Sequence, residues 1–169
     1  NNFLYGIFRE DKLNMIRIGV VLYDFVFISE IVSLVTMGID LTNFILISKC
    51  DLLIFPTHRI LDAASDAAKG KSKFGSTLKG IAPTYMDKTG RNGLRVGDID
   101  LNFMEKYEAL KAKHMQLLNL YDYEYNLDEE EKFFEAIELI RKFTRVDTEY
   151  EIFRLLEEGK SILADGAQG

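Results

Sequence analysis

Short apolar runs alternate along this chain with stretches in which apolar residues recur every three or four positions. We predict a strand at each short run, namely 3–8, 18–23, 44–47, 52–55 and 161–164. The periodic stretches predict helices. Continuously apolar strands that alternate with helices favour a parallel sheet, because both faces of such a sheet are covered. The pattern therefore predicts an α/β fold: a mostly parallel sheet with flanking helices and a helical insertion.

The helical patterns differ in length and in the face that each would bury. The longest covers 103–121, with a face of Phe103, Tyr107, Leu110, His114, Leu117, Leu118 and Tyr121. A second helix is predicted from about Asp128, which suits an N-cap, with a face of Phe133, Ile137, Ile140 and Phe143. A third is predicted from Asp147 to Gly159, with a face of Tyr150, Phe153 and Leu156. Earlier helices are predicted at 27–37 and 62–69, the latter after Pro56 has ended the strand at 52–55.

This pattern divides the chain into three parts. Residues 1–98 form an α/β segment, 99–160 form a helical segment packed on the sheet, and 161–169 return as a strand followed by a glycine-containing turn. The sequence starts at Asn1 without a methionine and stops at Gly169 within that turn. We therefore expect it to be an internal piece of a longer protein.

The composition argues against a membrane-spanning protein. Charged residues make up 28% of the 169 residues, and no apolar run approaches the roughly 20 residues that a spanning helix needs. The single cysteine, Cys50, cannot form an internal disulfide, which favours a reducing compartment. We expect a cytoplasmic protein with no membrane contact.

The segment 70–98 reverses the charge of the rest of the chain. In a protein of formal net charge −6 it gathers basic residues around the acid Asp87, and it is rich in glycine. The basic residues in and just before it are Lys69, Lys71, Lys73, Lys79, Lys88, Arg91 and Arg95. Glycines let backbone amides approach a ligand, and the hydroxyls of Ser76 and Thr77 offer further donors to a phosphate group. This favours a phosphate site, and the alternative is a solvated basic loop that binds nothing.

Two histidines are the other candidates for a site. His58 follows a predicted strand end, where ligands collect in open α/β sheets, although a lone histidine is more often a hydrogen-bonded structural residue. His114 lies on the apolar face of the helix at 103–121 and is expected in the core. One cysteine and two distant histidines give none of the usual spacings of a metal site. Tyrosines within 121–125 could stack on bases, but the acids among them would repel phosphates, so nucleic acid is not expected as a partner.

The motifs in and around the basic segment resemble those of adenylosuccinate synthetases. Residues 75–83 read Gly-Ser-Thr-Leu-Lys-Gly-Ile-Ala-Pro, and Tyr85, Lys88, Arg91 and Gly93-Leu94-Arg95 follow. Three more matching motifs are Gly6-Ile7-Phe8-Arg9-Glu10, Pro56-Thr57-His58 with Leu61-Asp62, and Gly166-Ala167-Gln168-Gly169. They occur in the family's order, so the resemblance spans the whole chain, with little motif between 102 and 160.

This resemblance implies a GTP-dependent ligase of purine biosynthesis that acts as a homodimer. In such enzymes GTP, with Mg²⁺, phosphorylates the 6-oxygen of IMP, and the amine of L-aspartate then displaces the phosphate to give adenylosuccinate. The resemblance implies that Thr77 binds the IMP phosphate and that Arg91 reaches the IMP phosphate of the partner subunit. It also implies that Gln168 contacts the hypoxanthine and that Arg95 lies near the dimer contact.

Other parts of the family pattern are missing or altered. The phosphate loop Gly-Asp-Glu-Gly-Lys-Gly-Lys, with its catalytic aspartate and the histidine that follows it, does not occur here. The resemblance thus implies no catalytic residue or metal ligand in this chain, GTP and Mg²⁺ sites mostly outside it, and no activity of this piece alone. Ala82 replaces a usual glycine, which would strain a turn that needs a positive φ, and Asp165 replaces a usual glutamate. The alternative function is a non-catalytic module that binds phosphate or nucleic acid through the basic segment.

Overall fold

The sheet of the protein is parallel. The structure is a computed structural model that describes residues 13–16, 31, 40–43, 45–70 and 77–163. Within these residues three strands, β1 (Asn14–Ile16), β2 (Ile45–Ser48) and β3 (Thr144–Val146), lie in the order β1-β2-β3. Both pairs are parallel, with Asn14 opposite Ile45 and Leu46 opposite Thr144. The prediction of an α/β fold with a parallel sheet is confirmed.

Within the described ranges, helices lie between β2 and β3 and after β3. They are α1 (Pro56–Ala68), α2 (Ile81–Thr89), α3 (Phe103–Leu118), α4 (Glu130–Arg141) and α5 (Thr148–Glu157), with a 3₁₀ helix at Val96–Asp100 between α2 and α3. None of the helices in the described ranges is long and apolar enough to cross a membrane. The predicted strands at 3–8 and 18–23 lie outside the described residues. So does the helix at 27–37, except for Ile31, which is helical and buried.

The segment 52–55 is buried as predicted, but it is not a strand of the sheet. Its side chains are almost fully enclosed, while its backbone partners lie outside any strand. The amide of Leu53 donates to the carbonyl of Leu94 (2.9 Å), and Leu52 forms an isolated bridge with Arg95. The prediction of a strand here was wrong because burial alone does not provide a neighbouring strand.

Helix α1 begins at Pro56 instead of near residue 62. Phe55 before it is extended, and Pro56 occupies the first helical turn. Proline suits this position because its φ is already helical and its missing amide hydrogen would have no partner there. Pro56 therefore starts the helix that it was expected to precede, and this places Thr57 and His58 in the first turn of α1.

The faces of α3 and α4 form the core beside β2. The buried residues of α3 are Phe103, Tyr107, Leu110, His114 and Leu118, which confirms most of the predicted face, although Leu117 is exposed. The predicted face of the next helix, Phe133, Ile137, Ile140 and Phe143, is buried in full. The rings of Tyr107 and Phe133 stack with centroids 5.5 Å apart. The expected N-cap at Asp128 was wrong, because Glu129 holds that position without a side-chain bond.

The C-terminal third departs from the sequence prediction in three places. Strand β3 lies inside the segment 99–160, where only helices were predicted. Residues 161–163 are exposed and outside any strand, so the strand predicted at 161–164 is absent from its described part. Helix α5 follows Asp147 as predicted. Its expected buried face is exposed, however, with Tyr150 72%, Phe153 58% and Leu156 53% accessible.

Candidate functional site

The described part of the basic segment is folded rather than a solvated loop. Residues 77–80 lead into α2, a tight turn follows it, and the 3₁₀ helix at Val96–Asp100 completes the segment. Residues 71–76 lie outside the described ranges. Thr77, the residue expected to bind a phosphate, is exposed, and Leu78 after it has a left-handed backbone with φ of +54°.

The start of α2 is packed tightly against α1. Gly80 is the N-cap, with φ of +77°, and its amide donates to Oδ2 of Asp62 at 3.0 Å. A Cβ on Gly80 would lie 2.9 Å from the backbone nitrogen of Arg59. Gly80 is therefore required for a close approach between two helices, although the glycines of this segment were expected to let the backbone approach a ligand.

Ala82 causes no strain. It lies in the first turn of α2 and is exposed, and it is absent from the residues with positive φ. Alanine is the most favourable helix former. Strain was expected only if this position needed a positive φ, and its helical backbone does not need one.

Helix α2 ends in a turn in which Arg91 adopts the left-handed conformation. The amide of Arg91 donates to the carbonyl of Lys88 (3.2 Å), and the amide of Asn92 donates to the carbonyl of Asp87 (2.8 Å). With Gly90 as the C-cap, these two bonds form the Schellman motif, whose left-handed position is usually glycine. Here Arg91 occupies it with φ of +60°. That backbone costs a non-glycine residue roughly 1–2 kcal/mol relative to glycine.

The two arginines of the segment differ in what their side chains do. Arg91 is exposed, and its guanidinium has no hydrogen bond or ion pair with any residue in the described ranges. Arg95 is also exposed, but Nη1 donates to the carbonyl of Cys50 (2.7 Å) and its amide donates to Asp98 (2.8 Å). Arg95 therefore holds the segment against the chain before α1, while the Arg91 side chain is directed into solvent.

The structure separates the predicted site residues. Thr77 precedes α2 and Arg91 follows it, so the length of this nine-residue helix, about 13 Å, lies between them. Gln168 lies outside the described residues. One chain therefore presents Thr77 and Arg91 at opposite ends of a helix, and the structure does not bring them into one pocket.

A buried network beneath α2 was not found from the sequence. Oδ2 of Asp87 accepts hydrogen bonds from Nε2 of His58 (2.9 Å) and Nε2 of His114 (2.6 Å). Its other carboxylate oxygen, Oδ1, accepts from Nζ of Lys113 at 2.6 Å. These donors come from α1 and α3, so Asp87 joins three helices. We call Asp87, His58, His114 and Lys113 the Asp87 network.

The partners of the two rings fix where their protons lie. The amide of Phe55 donates to Nδ1 of His58 (2.9 Å), so the ring hydrogen of His58 is on Nε2 and points at Asp87. Oγ1 of Thr57 lies 2.6 Å from Nδ1 of His114. With the proton of His114 on Nε2, its Nδ1 accepts from this hydroxyl. Every ring nitrogen of the network therefore has a partner.

The charges of the network follow from burial and hydrogen bonding. Burial lowers the pKa of His58 from 6.5 to about 4, against the opposing hydrogen bond to Asp87. Burial alone would raise the pKa of Asp87, but the hydrogen bonds from His114, His58 and Lys113 outweigh it and hold that pKa well below its ordinary range. At neutral pH the network therefore consists of a neutral His58 and an ionised carboxylate.

His58, Asp87 and His114 are also the group of described residues whose donor atoms could hold a metal ion, all within 4.8 Å of one another. A metal would have to displace both Nε2 protons and would meet the ammonium of Lys113 on the same carboxylate. The hydrogen bonds already use each of these donor atoms. From the sequence, the two histidines were expected to lie in separate places. The available signal was the acid Asp87 among the basic residues of the segment, together with His58 after a predicted strand and His114 on the predicted helix at 103–121.

The parallel sheet and its helices define an α/β protein, in which Thr77 and Arg91 of the basic segment are exposed. The family model of adenylosuccinate synthetase matches residues 3–169. The chain belongs to the adenylosuccinate synthetase family.

Its relatives are similar over nearly the whole chain. The adenylosuccinate synthetase of Flavobacterium psychrophilum is 54% identical over 168 residues, with 97% of this chain and 40% of that protein covered. The one from Bacteroides fragilis is 55% identical over 165 residues, with 97% and 39% covered. This chain thus spans about two fifths of the length of the curated relatives that it matches.

A solved structure described as fully ligated adenylosuccinate synthetase from Plasmodium falciparum shares the fold. It is 28% identical to this chain with a TM-score of 0.63, and the match covers 78% of this chain and 32% of that one.

Proposed function

We propose that this chain supplies part of the IMP site of an adenylosuccinate synthetase. The full-length protein would convert IMP, L-aspartate and GTP into adenylosuccinate, GDP and phosphate as a step of AMP synthesis. The observation that carries the proposal is Arg91: an exposed arginine held in the left-handed position of a helix C-terminal turn, within a chain that belongs to this family.

The position of Arg91 supports a role in the site of a second subunit. Its guanidinium has no partner within the described ranges, and α2 separates it from Thr77. A guanidinium can bind a phosphate with two parallel hydrogen bonds. In the proposed homodimer, Thr77 binds the IMP phosphate of its own subunit and Arg91 binds the IMP phosphate of its neighbour.

The other assigned residues have supporting roles in this proposal. Gln168 would contact the hypoxanthine, near the 6-oxygen that becomes phosphorylated. Arg95 would lie near the dimer contact, and its bond to the carbonyl of Cys50 would keep that part of the surface in place. No residue of this chain is proposed to act as acid, base or nucleophile, and the chain by itself is proposed to be inactive.

The GTP and Mg²⁺ sites are proposed to lie mostly outside this chain. Mg²⁺ prefers oxygen ligands in an octahedral arrangement. The group that could hold a metal within the described ranges offers two imidazole nitrogens and one carboxylate oxygen, all enclosed in the core. This set does not fit Mg²⁺, so no step of the reaction is assigned to it.

We further propose that the enzyme is cytoplasmic and binds neither a membrane nor nucleic acid. The family membership does not favour the alternative of a non-catalytic phosphate or nucleic-acid module. The folded state of the basic segment also argues against that alternative, since Lys88 lies over the ring of Tyr85 and Arg95 is bonded to Cys50.

The composite site can be tested in the full-length protein with Arg91→Gly. Glycine favours the left-handed backbone, so the turn is kept while the guanidinium is removed. We expect the KM for IMP to rise by about tenfold or more. Thermal stability should remain equal or increase, and the KM for GTP should change by less than about twofold.

Mixing subunits separates binding in trans from binding in cis. Arg91→Gly and Gln168→Ala variants, assayed at an IMP concentration well below the wild-type KM so that each alone has little activity, should form hybrid dimers in which one of the two sites has both side chains. After equal mixing and full exchange, about a quarter of wild-type activity should return. If exchange is demonstrated by mass and no activity returns, Arg91 does not act in the partner's site.

A further inference from the structure

Asp87 connects the buried network to the turn that carries Arg91. Its carboxylate is held from α1 by His58 and from α3 by His114 and Lys113. Its backbone carbonyl accepts the amides of Asn92 (2.8 Å) and Gly93 (3.0 Å), the two residues after Arg91. The same residue is therefore fixed through its side chain and fixes the turn through its backbone.

The turn has little room to adopt another shape. A Cβ on Gly93 would lie 3.1 Å from the backbone nitrogen of Lys88 and 3.4 Å from the carbonyl carbon of Asp87. The chain thus folds back closely onto the last turn of α2. The residues on either side of Arg91, Gly90 and Asn92, both donate their amides to carbonyls of that helix. The backbone on the C-terminal side of Arg91 is therefore bonded to the carbonyl of Asp87.

His58 and His114 act on this turn only indirectly. Both rings are fully buried and donate to the same oxygen of Asp87, whereas Arg91 is exposed. If one donor is lost, the buried carboxylate lacks a hydrogen bond, which costs free energy. Asp87 can reduce that cost by moving toward water or toward Lys113. Such a movement would carry the carbonyl that holds the turn.

We infer that His58 and His114 are positioning residues for Arg91. By donating their Nε2 hydrogens to Asp87 they hold the last turn of α2, and through it the orientation in which the Arg91 guanidinium meets the phosphate of a bound nucleotide. This inference rests on the proposed function of Arg91. It adds that the affinity for the nucleotide phosphate depends on two side chains in the core that never touch the nucleotide.

The test compares His114→Leu with His114→Gln in the full-length enzyme. Leucine fills the space without a donor, whereas the glutamine amide can replace the Nε2–H bond to Asp87. We expect His114→Leu to raise the KM for IMP about tenfold, because a small displacement of a binding group is enough for such a loss. His114→Gln should restore the KM to within about threefold of wild type, and the KM for GTP should stay nearly constant in both variants.

Two further variants separate positioning from stability. Ile137→Ala removes core volume from α4, outside the Asp87 network, and should lower the thermal midpoint without changing the KM for IMP. Lys113→Met removes a donor whose side chain is 42% exposed, so it should fold even if His114→Leu does not. It should raise the KM for IMP about threefold.

The double variant Arg91→Gly with His114→Leu shows whether the histidine acts through Arg91. If it does, the double variant has the KM for IMP of Arg91→Gly alone. If the two substitutions instead raise the KM for IMP by the product of their separate effects, His114 does not act through Arg91. The same conclusion follows if His114→Leu loses stability while its KM for IMP is unchanged. Either result overturns the positioning role and leaves the proposed function intact. An unchanged KM in Arg91→Gly alone overturns the proposed function, and the positioning role fails with it.

Discussion

His58 shows how one buried side chain ties the stability of the protein to pH. Its pKa is lowered from 6.5 to about 4, chiefly by burial. Above pH 6.5 the ring is neutral in the folded and unfolded states. Between pH 6.5 and about 4 the unfolded chain takes up a proton that the folded chain does not, so the free energy of unfolding falls as the pH falls. The difference is on the order of 3 kcal/mol over this window for a shift from 6.5 to about 4.

We therefore predict that His58→Gln reduces the loss of stability between pH 6.5 and 4, measured by urea unfolding of the full-length protein. Glutamine keeps a donor toward Asp87 but does not titrate. The contribution of Asp87 falls in a different window, because its pKa is lowered from 3.8 and its stabilisation is lost only below that value. If the variant and the wild type lose stability in parallel between pH 6.5 and 4, His58 is not the titrating group.

At the scale of elements, the contact between α1 and α2 depends on Gly80. Its φ of +77° and the 2.9 Å distance from an added Cβ to the backbone nitrogen of Arg59 are two separate constraints. Gly159 after α5 has nearly the same φ, +75°, but nothing lies within 4 Å of its added Cβ. These two glycines thus share a left-handed backbone and differ in the space around an added Cβ.

We predict that Gly80→Ala destabilises the protein by about 3 kcal/mol, whereas Gly159→Ala costs about 1 kcal/mol. In both variants the alanine destabilises the protein because its backbone is left-handed. In Gly80→Ala the new Cβ must also push α1 and α2 apart. Thermal and urea unfolding of the two variants measure the difference. Equal losses would show that α2 can shift away from α1 without cost.

Elements with a local sequence pattern could be predicted, and those fixed by distant contacts could not. The faces of α3 and α4 were predicted because helical periodicity is a local pattern that burial preserves. The segment 52–55 looked like a strand because it is apolar, but its amide partners are Leu94 and the ring of His58, which no local pattern reveals. Strand β3 has three residues, Thr144–Val146, of which one is strongly apolar, so it gave no recognisable run.

The candidate site was predictable only in part, for the same reason. The motif around Thr77 and Arg91 is contiguous in the sequence, so its residues were assigned from the resemblance alone. The hydrogen bonds of the Asp87 network join residues 26 to 29 positions apart in the sequence and link three helices. No local sequence pattern reveals these contacts, because the way in which α1, α2 and α3 cross decides which side chains meet.

At the scale of the whole molecule, α5 presents an apolar stripe to solvent. Tyr150, Phe153 and Leu156 are spaced by three residues and are each more than half exposed, so they lie on one side of the helix. The ion pairs of Arg154 with Glu151 and Glu158 lie beside them. Scattered exposed apolar residues are ordinary, but a contiguous apolar patch with a polar rim marks a surface that associates.

We predict that the 169-residue chain, produced alone, associates through this stripe at micromolar concentration. Phe153→Glu should shift its sedimentation toward the monomer, because a carboxylate at the centre of the stripe would lose its hydration on association. Leu120→Glu is the matched control, since Leu120 is 80% exposed but lies after α3 rather than on α5. It should leave association unchanged. A monomeric wild-type chain, or an equal effect of the two substitutions, would show that α5 is not the surface through which the chain associates.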